Sequence, residues 1–242
     1  HQLIDTGNGE GVARRLNKFT GLNHSEIAQK LIDAGNGRAV ARNLNKFTNL
    51  DASVAHQLID AGDGGEVVRY LDNFTGLDAS VAHQLIDAGD GGAVVRNLNK
   101  FTGLNHSEIA HQLIDTGNGG EVVRYLDKFT GLDHNEIAHK LIDAGSGWLI
   151  AHNLDKFTGL DASVAHKLID AGYELQVLQC AHVFGESTSE IVLGCIDKIK
   201  LDADVADAVL EHLSDYGMDA AAQCTVLWAC ANHYSTAQKV AQ

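Results

Sequence analysis

The sequence predicts an all-α fold, specifically an α-solenoid (superhelix) of two-helix repeats of 27–28 residues with a diverged helical C-terminal cap. Three observations lead to this prediction. A phenylalanine recurs within nearly the same sequence at intervals of 28, 27, 27, 28 and 28 residues, a period typical of repeat arrays. The chain has no proline, and its glycines recur at fixed places in the period. Apolar residues follow a helical spacing between these glycines. The repeated phenylalanines are Phe19, Phe47, Phe74, Phe101, Phe129 and Phe157.

The first helix of each repeat, helix A, is expected to begin at an asparagine or aspartate, because a short side chain there can accept hydrogen bonds from free backbone amides. Three copies carry a glutamate three residues later, which completes a capping box. The other copies read Asp-Ala-Ser-Val and are one residue shorter. Helix A should be about 12 residues long, counted with its caps. The expected N-caps are Asn23, Asp51, Asp78, Asn105, Asp133 and Asp161.

A glycine then closes helix A, and a second N-cap residue starts helix B, which should be about 10 residues long, counted with its caps. Helix B ends at a glycine in five repeats and at Asn49 in the sixth. Asparagine tolerates a left-handed backbone better than other non-glycine residues, so Asn49 supports a left-handed C′ position there. The residues expected to cap helix B are Asn8, Asn36, Asp63, Asp90, Asn118 and Ser146.

We divide the chain into tandem helix–loop–helix repeats at 1–172, with an incomplete first repeat, and diverged repeats at 173–242. End repeats must hide one core face from water, so they depart from the consensus. In the second part we expect a helix B at 173–184, then a helix that Ser187, Thr188 and Ser189 can cap and that ends near Lys200. Two further helices fit about 203–216 and 219–233.

The composition indicates which kinds of partner and which cellular location to expect. The formal net charge of −14 argues against nucleic-acid or anionic-membrane partners, although the distribution of charge matters more than its sum. No apolar run of about 18 residues is present, so we expect no membrane partner. No signal peptide is visible, and Cys180, Cys195, Cys224 and Cys230 are expected to be buried free thiols. Both features favour an intracellular protein, either cytoplasmic or delivered into a host cell.

The polar face of helix A repeats a histidine and an aspartate four residues apart, as in His56 and Asp60. We interpret this as a surface pair at helical spacing. A shared metal site is not expected, because neighbouring helices pack about 8–10 Å apart. Identical copies without a nucleophile describe a surface rather than a catalytic site. The sequence therefore predicts no catalytic residues, no metal and no cofactor. The other copies are His83–Asp87, His111–Asp115, His139–Asp143 and His166–Asp170.

The polar face of helix B carries one arginine per repeat, and in most repeats a lysine follows four residues later. Three interpretations are open: ion pairs with aspartates of the neighbouring repeat, a row that follows nucleic-acid phosphates, or a contact with the acidic surface of a protein ligand. The arginines are Arg14, Arg42, Arg69, Arg96 and Arg124.

Beside each arginine lies the most variable position of helix B. Variation within a constant frame is where a repeat protein places recognition, and neutral drift on an exposed face is the alternative. We therefore predict that these residues contact the partner too. They are Arg15, Asn43, Tyr70, Asn97, Tyr125 and Asn153.

A short helix, then Asp63-Gly64-Gly65 or Asn118-Gly119-Gly120, then a second helix resembles the repeats of TAL-effector-like DNA-binding proteins, over about residues 8–157. The resemblance implies that the interhelical loop reads one base per repeat, while the residues after it approach the phosphate backbone. The base-reading positions would be Asn8, Asn36, Asp63, Asp90, Asn118 and Ser146.

From these patterns we predict a non-enzymatic repeat scaffold that binds a macromolecular partner along one face of the superhelix. A protein partner is the first expectation, and modular DNA binding with an arginine ladder on the phosphates is the alternative. The sequence begins at His1 within the pattern of helix A. An uncapped N-terminal face would follow, so we expect either more chain upstream or end-to-end self-association.

Overall fold

A computed structural model describes residues 3–195 and 202–240. Their regular secondary structure is helical, apart from two isolated β-bridges, which confirms the all-α class. The chain divides into two compact units, His1–Thr130 and Gly131–Gln242, here called unit 1 and unit 2. The sequence boundary expected at 172/173 lies inside unit 2, where helices of the regular and the diverged repeats pack together.

Unit 1 contains alternating A and B helices. The A helices are α2, α4, α6 and α8, and the B helices are α1, α3, α5, α7 and α9. A π-helical turn at Ile4–Asn8 precedes α1, and another at Ile86–Asp90 joins α6 to α7. The α-helices of unit 1 are α1 (Gly9–Arg14), α2 (His24–Asp33), α3 (Gly37–Arg42), α4 (Ala52–Asp60), α5 (Gly64–Arg69), α6 (Ala79–Leu85), α7 (Gly91–Arg96), α8 (His106–Asp115) and α9 (Gly119–Arg124).

Unit 2 continues the same alternation and then departs from it. Its α-helices are α10 (His134–Asp143), α11 (Gly147–Ala151), α12 (Ala162–Asp170), α13 (Glu174–Gln179), α14 (Thr188–Gly194), α15 (Ala203–Glu211) and α16 (Ala220–Val240). Here α10 and α12 are A helices, and α11 and α13 are B helices. A 3₁₀ segment at Ala181–Ser187 joins α13 to α14.

The predicted N-caps of the A helices are confirmed. Each of the six asparagine or aspartate side chains accepts a hydrogen bond from a backbone N–H two or three residues later. At each cap the backbone is extended, which turns the side-chain oxygen toward the free amides. The sequence thus determines where every A helix of the regular repeats begins.

The B helices differ from the prediction in two ways. Their α-helical part is only five or six residues long, and a three-residue 3₁₀ turn such as Leu44–Lys46 follows it. The expected side-chain caps are wrong at Asn8, Asn36, Asp63, Asp90, Asn118 and Ser146, since none accepts a capping hydrogen bond. The reason is the backbone: Asn36 has φ −99° and ψ 24°, whereas the A-helix caps are extended.

The predicted left-handed positions are confirmed. Asn49 has φ 54° and is the one non-glycine residue with positive φ among the described residues. It takes the place that Gly76, with φ 68°, has one repeat later. Both residues end a B-helix segment by reversing the chain, as a left-handed C′ residue does.

Corresponding helices of successive repeats pack on one another within each unit. In unit 1, α2 packs on α4 and α4 on α6, while α1 packs on α3, α3 on α5 and α7 on α9. In unit 2, α10 packs on α12 and α12 on α14. The predicted apolar stripes form this core: Ile109, Ala110 and Leu113 of α8 are fully buried. Each hairpin is too small to bury its apolar stripe alone, so its neighbours supply the rest of the core.

The C-terminal helices match the prediction in place but not in extent. Helix α15 ends at Glu211 rather than near residue 216, and α16 extends to Val240. Thr188 does not cap α14, because its hydroxyl donates back to the carbonyls of Ala181 and Gly185. The predicted extension of α14 to Lys200 falls in residues 196–201, outside the described residues.

The four thiols are free, as expected, but they are not all buried. Cys195 and Cys230 are buried, Cys180 is half-buried, and Cys224 is exposed. Burial raises the pKa of the Cys180 and Cys230 thiols, which makes them poor nucleophiles.

Candidate binding surface

The polar row of the A helices is tied together from one repeat to the next. The side-chain amide of Gln112 in α8 donates to the Asp87 carboxylate at 2.6 Å, and its oxygen lies 2.5 Å from Nδ1 of His83. Gln84 makes the same two contacts with His56 and Asp60 of α4. A glutamine of the next repeat therefore joins each of these histidines to its aspartate, a bridge that the sequence analysis missed. The available signal was the glutamine or lysine that follows this position in every repeat, and the position itself is a histidine in all but the repeat of α2, where it is Gln29.

Unit 2 uses a lysine and a serine for the same purpose. Lys167 of α12 donates to the Asp143 carboxylate of α10 at 2.6 Å. The hydroxyl of Ser163 lies 3.0 Å from Nε2 of His139. The histidines and aspartates expected to form simple surface pairs thus make contacts between repeats.

The two repeat lengths differ at a second histidine position. In the 28-residue repeats, the first residue of helix A is a histidine whose Nδ1 accepts a backbone N–H from the threonine 24 residues later. In the 27-residue repeats the corresponding threonine N–H donates to a backbone carbonyl, as from Thr75 to Leu50 at 2.7 Å and from Thr102 to Leu77 at 2.9 Å. The extra residue therefore replaces a carbonyl acceptor with an imidazole. The histidine–threonine pairs are His24–Thr48, His106–Thr130 and His134–Thr158.

The arginine row of the B helices has a different character. The side chains of Arg14, Arg69 and Arg124 are each 65% exposed, and Arg42 and Arg96 are exposed as well. Three of them pair with a glutamate of their own helix, at 2.9 Å for Glu10, 2.9 Å for Glu66 and 3.1 Å for Glu121. Among the described residues, none of the five is paired with an aspartate of a neighbouring repeat, so that interpretation is wrong for the arginines.

The lysines, in contrast, link successive B helices. Lys46 donates to the carbonyl of Arg14 at 2.6 Å, and Lys128 donates to the carbonyl of Arg96 at 2.9 Å. Lys100 pairs with Asp72 of the preceding repeat. These lysines satisfy groups at the C-terminal end of the preceding B helix, where a cation is favourable. The predicted ion pairing between repeats therefore holds for a lysine and not for the arginines.

The charges of unit 1 are separated by helix type. The B segments, each running from its first glycine to its phenylalanine, hold eleven cationic and five acidic side chains. The rest of unit 1 holds one cationic and eleven acidic side chains. All seven arginines of the chain lie in these B segments. The net acidic charge therefore conceals a cationic row. The B segments are 9–19, 37–47, 64–74, 91–101 and 119–129.

Most of the variable residues beside the arginines make contacts within the protein. Five of the six are half-buried, and Arg15 is exposed. The amide groups of Asn43, Asn97 and Asn153 donate to the backbone carbonyl four residues earlier at 2.8–2.9 Å. These bonds form where the α-helix gives way to the 3₁₀ turn. Tyr70 and Tyr125 occupy the same position in alternate repeats, and the Lys128 ammonium lies 4.6 Å from the centroid of the Tyr125 ring.

The junction residues between helices A and B lie against the preceding repeat. A Cβ on Gly9 would stand 2.5 Å from the Asn36 amide, and one on Gly64 would stand 2.7 Å from the Asp90 carboxylate. Burial raises the pKa of Asp90. Asn36, Asp63, Asp90, Asn118 and Ser146 are half-buried, while Asn8 is exposed. Gly9, Gly64 and Gly91 thus make room for the junction residue of the next repeat, whereas a Cβ on Gly37 would meet only Ile32, at 3.9 Å.

Two further features bear on function. Among residues 3–195 and 202–240, no three histidine, cysteine, aspartate or glutamate side chains are grouped to hold a metal ion. None of the helices described there is long and apolar enough to cross a membrane.

At the N-terminal end of unit 1, Leu3, Phe19 and Leu22 are 52%, 42% and 40% exposed around a small apolar groove. End-to-end self-association through this face stays a prediction.

The chain matches no protein-family model, and no curated protein matches it. The candidate surface is therefore defined by its own geometry.

Proposed function

We propose that this chain is a non-enzymatic repeat protein that binds nucleic acid through the arginine row of its B helices. One observation carries the proposal: five arginines at equivalent positions are exposed, and within the part of the chain that the structure describes no aspartate of a neighbouring repeat pairs with them. Histidines, glutamines and aspartates of the A row instead form hydrogen bonds between repeats. These contacts of the A helices and the lysines of the B helices thus link successive repeats, and the arginines remain available to a partner.

The distribution of charge supports a polyanion as that partner. The B segments of unit 1 contain eleven cationic side chains and only five acidic ones, whereas acidic residues outnumber cationic ones in the rest of unit 1. A phosphate backbone would approach the cationic row and be repelled from the other, so the charge pattern would set orientation despite the net charge of −14. A cationic stripe of this kind is the expected electrostatic footprint of nucleic-acid binding.

The resemblance to TAL-effector-like repeats agrees with this function. If the chain binds DNA as that family does, the arginines would supply affinity that does not depend on the base sequence. Contacts with phosphates fix the register of the protein on the DNA without distinguishing bases. The resemblance would assign sequence preference to the junction residues, of which Asn8 is exposed and the other five are half-buried. These vary among asparagine, aspartate and serine, which offer different donors and acceptors to base edges. The junction residues concerned are Asn8, Asn36, Asp63, Asp90, Asn118 and Ser146.

A gel-shift and fluorescence-anisotropy titration with mixed-sequence DNA and RNA tests the proposal. We expect binding at low salt, with a slope of log K against log [salt] of about −4.5 for duplex DNA if the five arginines neutralise one phosphate each. A variant with all five arginines changed to glutamine should lose most of this slope while keeping its helical circular dichroism. Absence of any shift at low salt would refute nucleic-acid binding.

A protein with an acidic surface is the second candidate. The observation that favours it is the mixed sign of the row: three arginines keep a glutamate partner, and Asp72 and Asp127 lie on the same segments. A folded partner with its own pattern of charge could complement such a row, whereas a uniform polyanion meets repulsion at each acid. Arginine-dependent, salt-sensitive binding to polyglutamate without binding to DNA or RNA would favour this candidate.

A further inference from the structure

The five arginines of the row stand in two environments that alternate along unit 1. In α1, α5 and α9 a glutamate lies three or four residues before the arginine and pairs with it. In α3 and α7 the residue three before the arginine is Ala39 or Ala93, and the residue four before it is Arg38 or Gly92. No carboxylate of the same helix can therefore reach Arg42 or Arg96.

The glutamates of α5 and α9 are held firmly at their arginines. Only 31% of the Glu66 side chain and 23% of the Glu121 side chain are exposed, against 67% for Glu10 in α1. Glu121 also rests against the preceding repeat, since its Cγ lies 3.5 Å from where a Cβ of Gly92 would be. Their carboxylates are thus positioned before any ligand arrives.

A fixed carboxylate beside an arginine weakens the binding of phosphate to that arginine. A phosphate that approaches Arg69 or Arg124 must displace or share the glutamate, and it meets the repulsion of a like charge a few ångströms away. An exposed pair of this kind is worth about 0.2–1 kcal/mol, which corresponds to about 1.4- to 5-fold in a binding constant. Among the described residues, Arg42 and Arg96 form no ion pair with a carboxylate, although the Glu121 side chain also approaches Arg96: its Cγ and Nη1 of Arg96 each lie 3.5 Å from where a Cβ of Gly92 would be.

We infer that the presence or absence of a glutamate one turn before the arginine sets how strongly that repeat holds phosphate, so that strong and weak contacts alternate along the row. Repeats with α3 and α7 are the strong contacts, and those with α5 and α9 are the weak ones. The inference rests on the nucleic-acid binding proposed above. The same alternation marks the next residue, which is Asn43 or Asn97 in the strong repeats and Tyr70 or Tyr125 in the weak ones.

Single arginine variants give the first test, by fluorescence anisotropy with a labelled mixed-sequence DNA duplex of about 30 base pairs, long enough to cover several phosphates of the row. Arg96→Gln and Arg69→Gln remove the same charge from equivalent positions. We expect Arg96→Gln to weaken binding about threefold to fivefold and to reduce the salt slope by about 0.9, with less than a twofold change for Arg69→Gln.

The converse test releases the paired arginines. The double variant Glu66→Gln and Glu121→Gln should tighten binding severalfold and steepen the salt slope. Its matched control is Asp33→Asn and Asp60→Asn on α2 and α4, which changes net charge equally and leaves an oxygen to accept from the glutamines that these aspartates contact. The control should change binding less than the glutamate variant does. Circular dichroism verifies that every variant is folded.

The outcomes separate the two claims. If the wild-type chain binds DNA but the glutamate and aspartate double variants behave alike, or Arg69→Gln weakens binding as much as Arg96→Gln, the alternation is wrong and nucleic-acid binding stands. If the wild-type chain binds no nucleic acid at low salt, both claims fall.

Discussion

Nδ1 of the His106 imidazole accepts a hydrogen bond from the backbone N–H of Thr130, 24 residues later, at 2.7 Å. The same ring packs edge-on against Phe129, with centroids 5.8 Å apart. One side chain therefore connects the start of an A helix to the end of its own repeat. In shorter repeats a backbone carbonyl accepts the equivalent N–H, as Leu50 does from Thr75.

This relationship predicts the effect of removing the imidazole. His106→Ala should destabilise unit 1 by about 1–2 kcal/mol, because it removes both the acceptor and the aromatic pair. Replacing Asn105-His106-Ser107-Glu108-Ile109 by Asp-Ala-Ser-Val, as in the short repeats, should restore an acceptor through the Leu104 carbonyl. Urea unfolding followed by circular dichroism measures both. A segment replacement that costs as much as His106→Ala would contradict the equivalence of the two acceptors.

The glutamine bridge of the A row makes a second prediction. Gln112→Leu should cost about 1–2 kcal/mol, because it removes hydrogen bonds to Asp87 and to His83 at a half-buried site. Gln112→Lys should cost less, since Lys167 occupies the same position in α12 and binds Asp143 directly. The midpoint of urea unfolding distinguishes the two variants. Equal loss in both would show that the contact with Asp87 adds nothing to stability.

Adjacent glycines at the start of α7 should respond in opposite ways to alanine. A Cβ on Gly91 would stand 2.8 Å from Cδ2 of the fully buried Leu113 and 3.0 Å from the Asn118 amide, so Gly91→Ala should cost about 1–3 kcal/mol. The nearest atoms to a Cβ on Gly92 lie 3.5 Å away, and Gly92→Ala should stabilise by about 0.4–1 kcal/mol. Thermal unfolding compares them. A tolerated Gly91→Ala would refute the close approach of successive repeats at this junction.

The cap of α12 predicts a pH dependence. The Ser163 hydroxyl, which donates to the Asp161 carboxylate at 2.6 Å, is the main reason why the pKa of Asp161 falls from 3.8 to about 2, against an opposing effect of burial. Hydrogen bonds from Asn135 and two backbone amides also lower this pKa. Because the folded carboxylate binds a proton less tightly than the unfolded one, its stabilisation is complete above about pH 4 and is lost as the pH falls toward 2.

The measurement for this cap is the urea midpoint of wild type and of Asp161→Asn at several pH values. We expect the variant to be less stable near neutral pH and the difference to shrink between about pH 4 and pH 2. Comparing the two proteins at each pH removes the contribution of other carboxylates that titrate in this range. A difference that stays constant down to pH 2 would contradict the charge-dependent role of Asp161.

The sequence was informative wherever one residue type satisfies one local requirement. Asn49 could be assigned a left-handed backbone because glycine occupies its place in the other repeats, and the caps of the A helices followed from short side chains with free oxygens. The end of helix B was not predictable, because its 3₁₀ turn leaves the same apolar positions buried as a continuous helix would.

Contacts between repeats were harder to predict than helix positions. The role of Gln84 depends on which side chains of α4 it meets, and helical spacing within one repeat does not reveal this. The partners of the arginines were also not predicted, because they lie in the same helix and not in a neighbouring repeat. Nearby aspartates in the sequence suggested ion pairs between repeats, whereas Glu66 and Glu121 of the same helices are the actual partners.

Footprinting by arginine modification tests the central claim most directly. The chain is treated with a dicarbonyl reagent, with and without a saturating DNA duplex, and its peptides are read by mass spectrometry. We expect the arginines of the B row to be protected, Arg42 and Arg96 most strongly, while Lys30 of α2 and Lys167 of α12 keep their reactivity toward an amine reagent. Unchanged arginine reactivity in the bound chain, or protection confined to the A-helix lysines, would contradict the assignment of the binding surface to the B row.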